Sequence, residues 1–255
     1  MLATDLDLDS VSARLERDGV AVVDGVLSEA EVADALARLW AAADESERRG
    51  MPTYISALDP NASNVRVFNL IELDPLFASL IAHPVADAVV GRFLGNGYIV
   101  SNFTANIARP GSGSMAVHSD QSVVMPEPWL AAHAVNAIWC LTDVTADNGA
   151  TRYLPDSHLF QTRAELPEHP IEHMVPFEAA AGSVIVMEGR VWHTSGCNIT
   201  EADDRALLFG YYTKPFICRQ WNFTAAMSAE SQRALPPIMR YRLGLDIAQN
   251  IPASL

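Results

Sequence analysis

The stretch "GSVIVMEGRVWHTSGCNITEADDRALLFGYY", residues 182–212, decides how this chain is read. It breaks into three short runs, "GSVIVMEG", "VWHTSG" and "RALLFGYY", rich in β-branched and aromatic residues and divided by Gly, Asn and Asp. Short strands separated by turn residues predict a β-sandwich or barrel. The middle run carries His193, and Arg205 opens the last.

The same texture extends back to Tyr98 through "YIVSNFTANIAR", "SMAVHSD", "AVNAIWCLTD", "TRYLP" and "HMVPFEA". Before Tyr98 the pattern is helical. "DSVSARLERDG" offers Asp9 or Ser10 as a cap and Gly19 as a stop, and Ser28 with Glu31 has the spacing of a capping box. Val32, Leu36, Leu39 and Trp40 then recur at helical spacing, and "PLFASLIAHPVADAVVGRFLG" reads as one or two further helices. No repeat, charge block or linker divides the chain. One domain over 1–255 is expected: residues 1–97 mostly helical support, 98–215 the β core, 216–255 a C-terminal extension.

Apolar residues make up 49% of the 255, enough for a sizeable core. The formal net charge of -14 repels phosphate backbones and anionic membranes, so neither nucleic acid nor membrane is an expected partner. Cys140, Cys197 and Cys218 form no C-x-x-C pair, which fits a reducing cytoplasm. The acidic "MLATDLDLDS" lacks the basic and apolar regions of a secretory signal. No apolar run reaches the ~18 residues of a membrane span.

"AVHSDQS", residues 116–122, places His118 and Asp120 two positions apart. On a strand both side chains project from one face, as a hydrogen-bonded pair or as two metal ligands. His193 supplies a third candidate ligand. Two histidines and one carboxylate are the facial triad of non-haem Fe(II) sites, which leaves three cis positions open. Arg205 adds what a dicarboxylate cosubstrate needs. 2-Oxoglutarate chelates iron through its 1-carboxylate and 2-keto oxygen, and its far carboxylate takes a planar, bidentate guanidinium.

"VHSDQS", "WCLTDVTADNGATRYLPDSH" and "VWHTSGCN…R", in that order, resemble the phytanoyl-CoA dioxygenase family of Fe(II)/2-oxoglutarate oxygenases. More loosely, "DGVLSEAEV" and "RVFNLIELDPLFASLIAHP" resemble its N-terminal part, so the likeness spans roughly residues 18 to 215. It implies a mainly β fold with a helical N-terminal layer and a double-stranded β-helix (jelly-roll) core. It maps His118, Asp120 and His193 onto the iron ligands and Arg205 onto the 2-oxoglutarate anchor. The members closest in feel oxidise natural products. From them the resemblance carries Arg66 and Thr151 to the cosubstrate, and from ectoine-hydroxylase-like relatives it carries Ser195. Two positions depart from the pattern: Met115 stands where a Gln is usual, and Asp156 where a Gly is usual. Halogenating relatives have a small residue at the position of Asp120, so a carboxylate there implies hydroxylation or another route of the same radical type.

The resemblance thus implies Fe(II), 2-oxoglutarate and O2 as cofactors; apolar loops near the motifs point to a small, largely hydrophobic substrate, and a homodimer is common in the resembling group. Two alternatives remain: an acyl-CoA substrate, or a cupin-like jelly roll that binds a metal or small ligand without turnover. Among the other histidines, His158 is expected to bond locally in its turn, His83 to be structural, and His169 and His173 to lie at the surface. Trp139 is expected in the core. The loop "QSVVMPEPWLAAH" either lines the substrate entrance through Gln121, Met125 and Trp129 or packs as a cover.

Overall fold

A computed structural model of the protein describes residues 6–246. Residues 1–5 of the acidic N-terminus and 247–255 of the expected C-terminal extension lie outside the described residues. Helix α1 (Leu8–Asp18) is capped two or three residues earlier than the sequence suggests. Asp7, not Asp9 or Ser10, accepts the Ser10 N–H at 3.0 Å. Gly19 ends the helix in the left-handed region at φ 73°, and a Cβ there would lie 2.7 Å from the His158 ring. Strand β1 (Val20–Val23) follows, then α2 (Glu29–Arg48), which starts with the expected Ser28/Glu31 capping box. Strand β2 (Asn64–Val67) leads into three short helices, α3 (Leu70–Leu73), α4 (Pro75–Ile81) and α5 (Pro84–Leu94). Asp74 caps α4 and the His83 ring caps α5 by accepting the Val85 N–H, so His83 is structural.

The β core comprises β3 (Ile99–Ala108), β4 (Ala134–Cys140), β5 (Arg152–Tyr153), β6 (Val175–Pro176), β7 (Val184–Glu188), β8 (His193–Thr194) and β9 (Arg205–Thr213). Six strands form one sheet in the order β1-β7-β4-β9-β3-β2, and three form a smaller one in the order β6-β5-β8. All pairings are antiparallel. The two edge strands of the large sheet, β1 and β2, come from the N-terminal part of the chain. Alternation along each strand divides the work. Val135, Ala137 and Trp139 of β4, and Ala206, Leu208 and Tyr212 of β9, pack with the helices in the main core. Ile138, Cys140 and Leu207 face the other way and meet Phe177, with Tyr153 beside them, from the small sheet. Each central strand is therefore buried on both faces. Two facing sheets with a helical layer outside make a jelly roll.

Three helices close the described chain: α6 (Phe223–Ala226), α7 (Ala229–Ala234) and α8 (Pro237–Leu243). The segment before them folds back over the core. Trp221 stacks on Phe68 at 5.6 Å, and α8 ties to α5 through Arg242 and Asp87 at 2.5 Å. Among the described residues, no single helix is long and apolar enough to cross a membrane.

Candidate active site

The inner face of the large sheet is apolar at β7 and turns polar at Asn136 of β4 and across β3, where Asn102, Thr104 and Asn106 share one face. A cavity of about 230 Å³ opens there. His118, Asp120 and His193 sit on its wall with Arg205, Arg66, Thr151 and Ser195, so all seven side chains singled out in the sequence border one space.

His118 and His193 are placed by the backbone. Each donates its main-chain N–H to the other's carbonyl, at 3.0 and 2.8 Å, in an isolated antiparallel bridge. Asp120 does not lie on the strand expected for "AVHSD": it opens a 3₁₀ turn, Asp120–Val123. The bridge followed by that turn brings its carboxylate back to the imidazoles. Its Oδ1 lies 3.9 Å from His118 Nε2 and 4.0 Å from His193 Nε2. One nitrogen or oxygen from each residue falls within 4.8 Å of the others. Tautomers are set by the chain too. Nδ1 of His118 bonds Ala116 O at 2.9 Å and Nδ1 of His193 bonds Val191 O at 3.0 Å. A carbonyl only accepts, so each Nδ1 carries the proton and each Nε2 presents a lone pair.

Arg205 is buried, with 1% of its surface exposed. It donates from Nε to Gly149 O at 3.1 Å, from Nη1 to Asn106 O at 3.3 Å, and from Nη2 to Asn106 Oδ1 at 3.1 Å. These partners are neutral. Burial, and then the nearby Arg66 guanidinium, lower its pKa to about 10, so it remains a cation at neutral pH. A buried cation with only dipoles for company favours the arrival of an anion.

The phytanoyl-CoA dioxygenase (PhyH) family pattern matches residues 15–206. The chain belongs to the phytanoyl-CoA dioxygenase family. It is an oxidoreductase of the dioxygenase type. Over 240 residues it is 48% identical to dioxygenase af480 of Aspergillus fumigatus, covering 94% of this chain and 78% of that protein. Its fold matches that of the epimerase SnoN, solved in complex with Fe3+, alpha ketoglutarate and nogalamycin RO. The TM-score is 0.65 at 23% identity, over 81% of this chain and 83% of that one. HygX from Streptomyces hygroscopicus, solved with nickel and 2-oxoglutarate bound, matches with a TM-score of 0.65 at 17% identity, over 87% and 92% of the two chains.

Within this family site, Arg66 has a partner that sequence reading missed. Asp59 is fully buried and receives Nε and Nη2 of Arg66 at 2.9 and 2.7 Å. Arg66 Nη2 also reaches Met115 Sδ at 3.3 Å. Arg66 therefore borders the cavity with its charge matched, whereas Arg205 meets no carboxylate among the described residues. The Ser195 hydroxyl accepts the Met115 N–H at 3.0 Å, which leaves its own proton free to donate. Thr151 is held by the "NGAT" turn. That turn and "HTSG" meet at two glycines: Gly149 has φ 91°, and a Cβ on Gly196 would lie 2.7 Å from Ala150 O. Gly196→Ala is expected to cost about 1–3 kcal/mol in chemical denaturation, because the obstacle is main chain and cannot yield cheaply.

In the loop after Asp120, Trp129 is buried with Leu154, Met174 and Trp192, Gln121 bonds Ala131 O and the His133 N–H, and Met125 is exposed; none of the three borders the cavity. His158 departs from expectation. It is buried, but neither ring nitrogen has a hydrogen-bond partner. Its ring fills the space that Gly19 leaves open. His169 and His173 are exposed, and Trp139 is fully buried. Asp156, the position at which a Gly is expected, takes the left-handed φ of 62° that a glycine adopts freely.

Burial, then the nearby His118, depress the pKa of His193 from 6.5 to about 4. Below pH 6.5 the unfolded chain takes up a proton that the folded chain refuses. Stability is therefore fully present above that pH and is lost as pH falls toward 4. Burial lowers His83 and His133 in the same direction. The metal-free protein is expected to melt several degrees lower at pH 5 than at pH 7 by scanning calorimetry. An unchanged melting temperature contradicts a neutral buried His193.

Proposed function

We propose that this dioxygenase uses Fe(II), 2-oxoglutarate and O2 to hydroxylate an unactivated C–H bond of a small, largely hydrophobic natural product. 2-Oxoglutarate leaves as succinate and CO2. The observation that carries this reading is the pairing of two features on one cavity. A His₂–carboxylate set with both Nε2 lone pairs turned to Asp120 stands beside a buried guanidinium that meets no carboxylate among the described residues. The donor set suits ferrous iron, and the two structural relatives solved with a metal and this keto acid support it. When bound, the iron supplies O2 activation coupled to decarboxylation of the keto acid.

The chain's own residues do the rest. His118, Asp120 and His193 would hold the metal through one ligand atom each. Arg205 takes the far carboxylate of 2-oxoglutarate with its fork, and Asn106 keeps that fork oriented. Thr151 and Ser195 offer hydroxyls to the same ligand. Arg66, its charge matched by Asp59, lines the cavity as a held polar wall. Leu58, Phe68 and Phe209 give the cavity apolar walls that orient a hydrophobic substrate and exclude water. The free thiols Cys140, Cys197 and Cys218 support a cytoplasmic setting.

Anaerobic addition of Fe(II) and 2-oxoglutarate is expected to give a weak visible charge-transfer band. Colourless protein under those conditions sinks the proposal. A screen for substrate-stimulated succinate formation then separates a small neutral natural product from an acyl-CoA.

A further inference from the structure

Asp120 differs from the two histidines in how it is held. Each imidazole is fixed by its own segment through the carbonyl two residues back. Asp120 stands at the start of a 3₁₀ turn, outside any strand. Hydrogen bonds to Gly189 O from the Ser119 hydroxyl and the Gln121 N–H, both 2.8 Å, fix the backbone on either side of it. They leave its carboxylate free to rotate.

Two residues of the large sheet restrain it. Asn136 of β4 donates from Nδ2 to Asp120 Oδ2 at 2.7 Å. Tyr211 of β9 donates its hydroxyl to the Asp120 main-chain O at 3.0 Å. Asn136 and Tyr211 are register neighbours on the two central strands. Asn136 is 6% exposed. Its orientation is unambiguous, because a carboxylate at neutral pH only accepts and so must face the NH₂ end of the amide.

The two carboxylate oxygens thus have separate tasks. Oδ1 faces both Nε2 atoms, and Oδ2 is engaged by Asn136. We propose that Asn136 is a positioning residue that restricts Asp120 to one-oxygen ligation, and so sets how many positions stay open on the metal. The inference rests on the metal reading given above. A six-coordinate ion with three protein ligand atoms keeps three positions, two for the keto acid and one for O2. A carboxylate that swings to bind through both oxygens takes the last of these.

Mn(II) is the probe, and no turnover is needed. Bound Mn(II) relaxes the protons of its exchangeable waters, so the relaxation enhancement reports how many remain. In Asn136→Leu, which keeps the bulk and loses the donor, the enhancement per bound Mn(II) is expected to fall by about one third. With saturating 2-oxoglutarate, the wild type keeps one exchangeable water and the variant none. Asn136→Gln, which restores an amide donor, is expected to recover part of the enhancement. If Asn136→Leu fails to fold, Asn136→Ala removes the donor with less disturbance and gives the same result. An enhancement in either folded variant equal to or above wild type overturns the role of Asn136 and leaves the metal reading standing. A wild-type protein that does not bind Mn(II), or binds it as well after Asp120→Ala, overturns the metal reading itself.

Discussion

Arg205→Leu is expected to raise the 2-oxoglutarate concentration for half-maximal succinate formation by about two to three orders of magnitude. The estimate follows from the partnership involved. Removing one member of a buried, hydrogen-bonded charge pair costs about 2–5 kcal/mol, because the other charge is left buried without a partner. The guanidinium is fully enclosed and already desolvated, so water does not replace it cheaply. Arg205→Lys keeps the charge but loses the planar fork, and Nε no longer holds Gly149 O. It is expected to fall between leucine and wild type. Mn(II) affinity in the absence of 2-oxoglutarate should be unchanged in both variants, which separates loss of the anchor from damage to the triad. Succinate formation by Arg205→Leu at wild-type 2-oxoglutarate concentrations removes Arg205 from its assigned role.

The second large effect is expected at Asp120. Asp120→Ala should lower 2-oxoglutarate turnover below about a thousandth of wild type, equivalent to about 4 kcal/mol of lost transition-state stabilisation. The alanine removes the only carboxylate of the three proposed ligands. Metal affinity should fall by more than the roughly 10–100-fold that follows loss of an outer-shell partner. The variant should remain folded, since Ser119 and Gln121 still bind Gly189 O. Turnover near the wild-type rate in Asp120→Ala would falsify the triad assignment.

The residues that carry these predictions were legible in the sequence for a physical reason. The proposed metal ligands and cosubstrate anchor must be particular residue types, and "HSD", "WHTSG" and the Arg at the head of "RALLFGYY", which the fold brings to one cavity, stand out from apolar surroundings. Strands β4, β7 and β9 were legible because they are largely apolar on both faces and end at turn residues. The supporting residues were not. Asn136 and Tyr211 sit at ordinary alternating positions of their strands, and nothing local separates them from core side chains. Asp59 lies in "LDPNAS", which reads as a plain turn, and only the folded chain brings it to Arg66. The local form of "AVHSD" was missed because the spacing of His118 and Asp120 suits a strand as well as the bridge and turn actually used. Asp7 was passed over as a cap because Asp9 and Ser10 beside it are equally able cap residues, and only the first helical turn chooses among them.

Strand β3 separates two jobs along one piece of backbone. Phe103, Ala105 and Ile107 anchor it in the main core, while Asn102, Thr104 and Asn106 border the cavity. Retargeting by point changes at 102 and 104 therefore leaves the scaffold intact. Inserting or deleting a single residue in β3 exchanges the two sets and puts three polar groups into the core. A library that varies side chains here explores new chemistry, and one that varies strand length loses the protein.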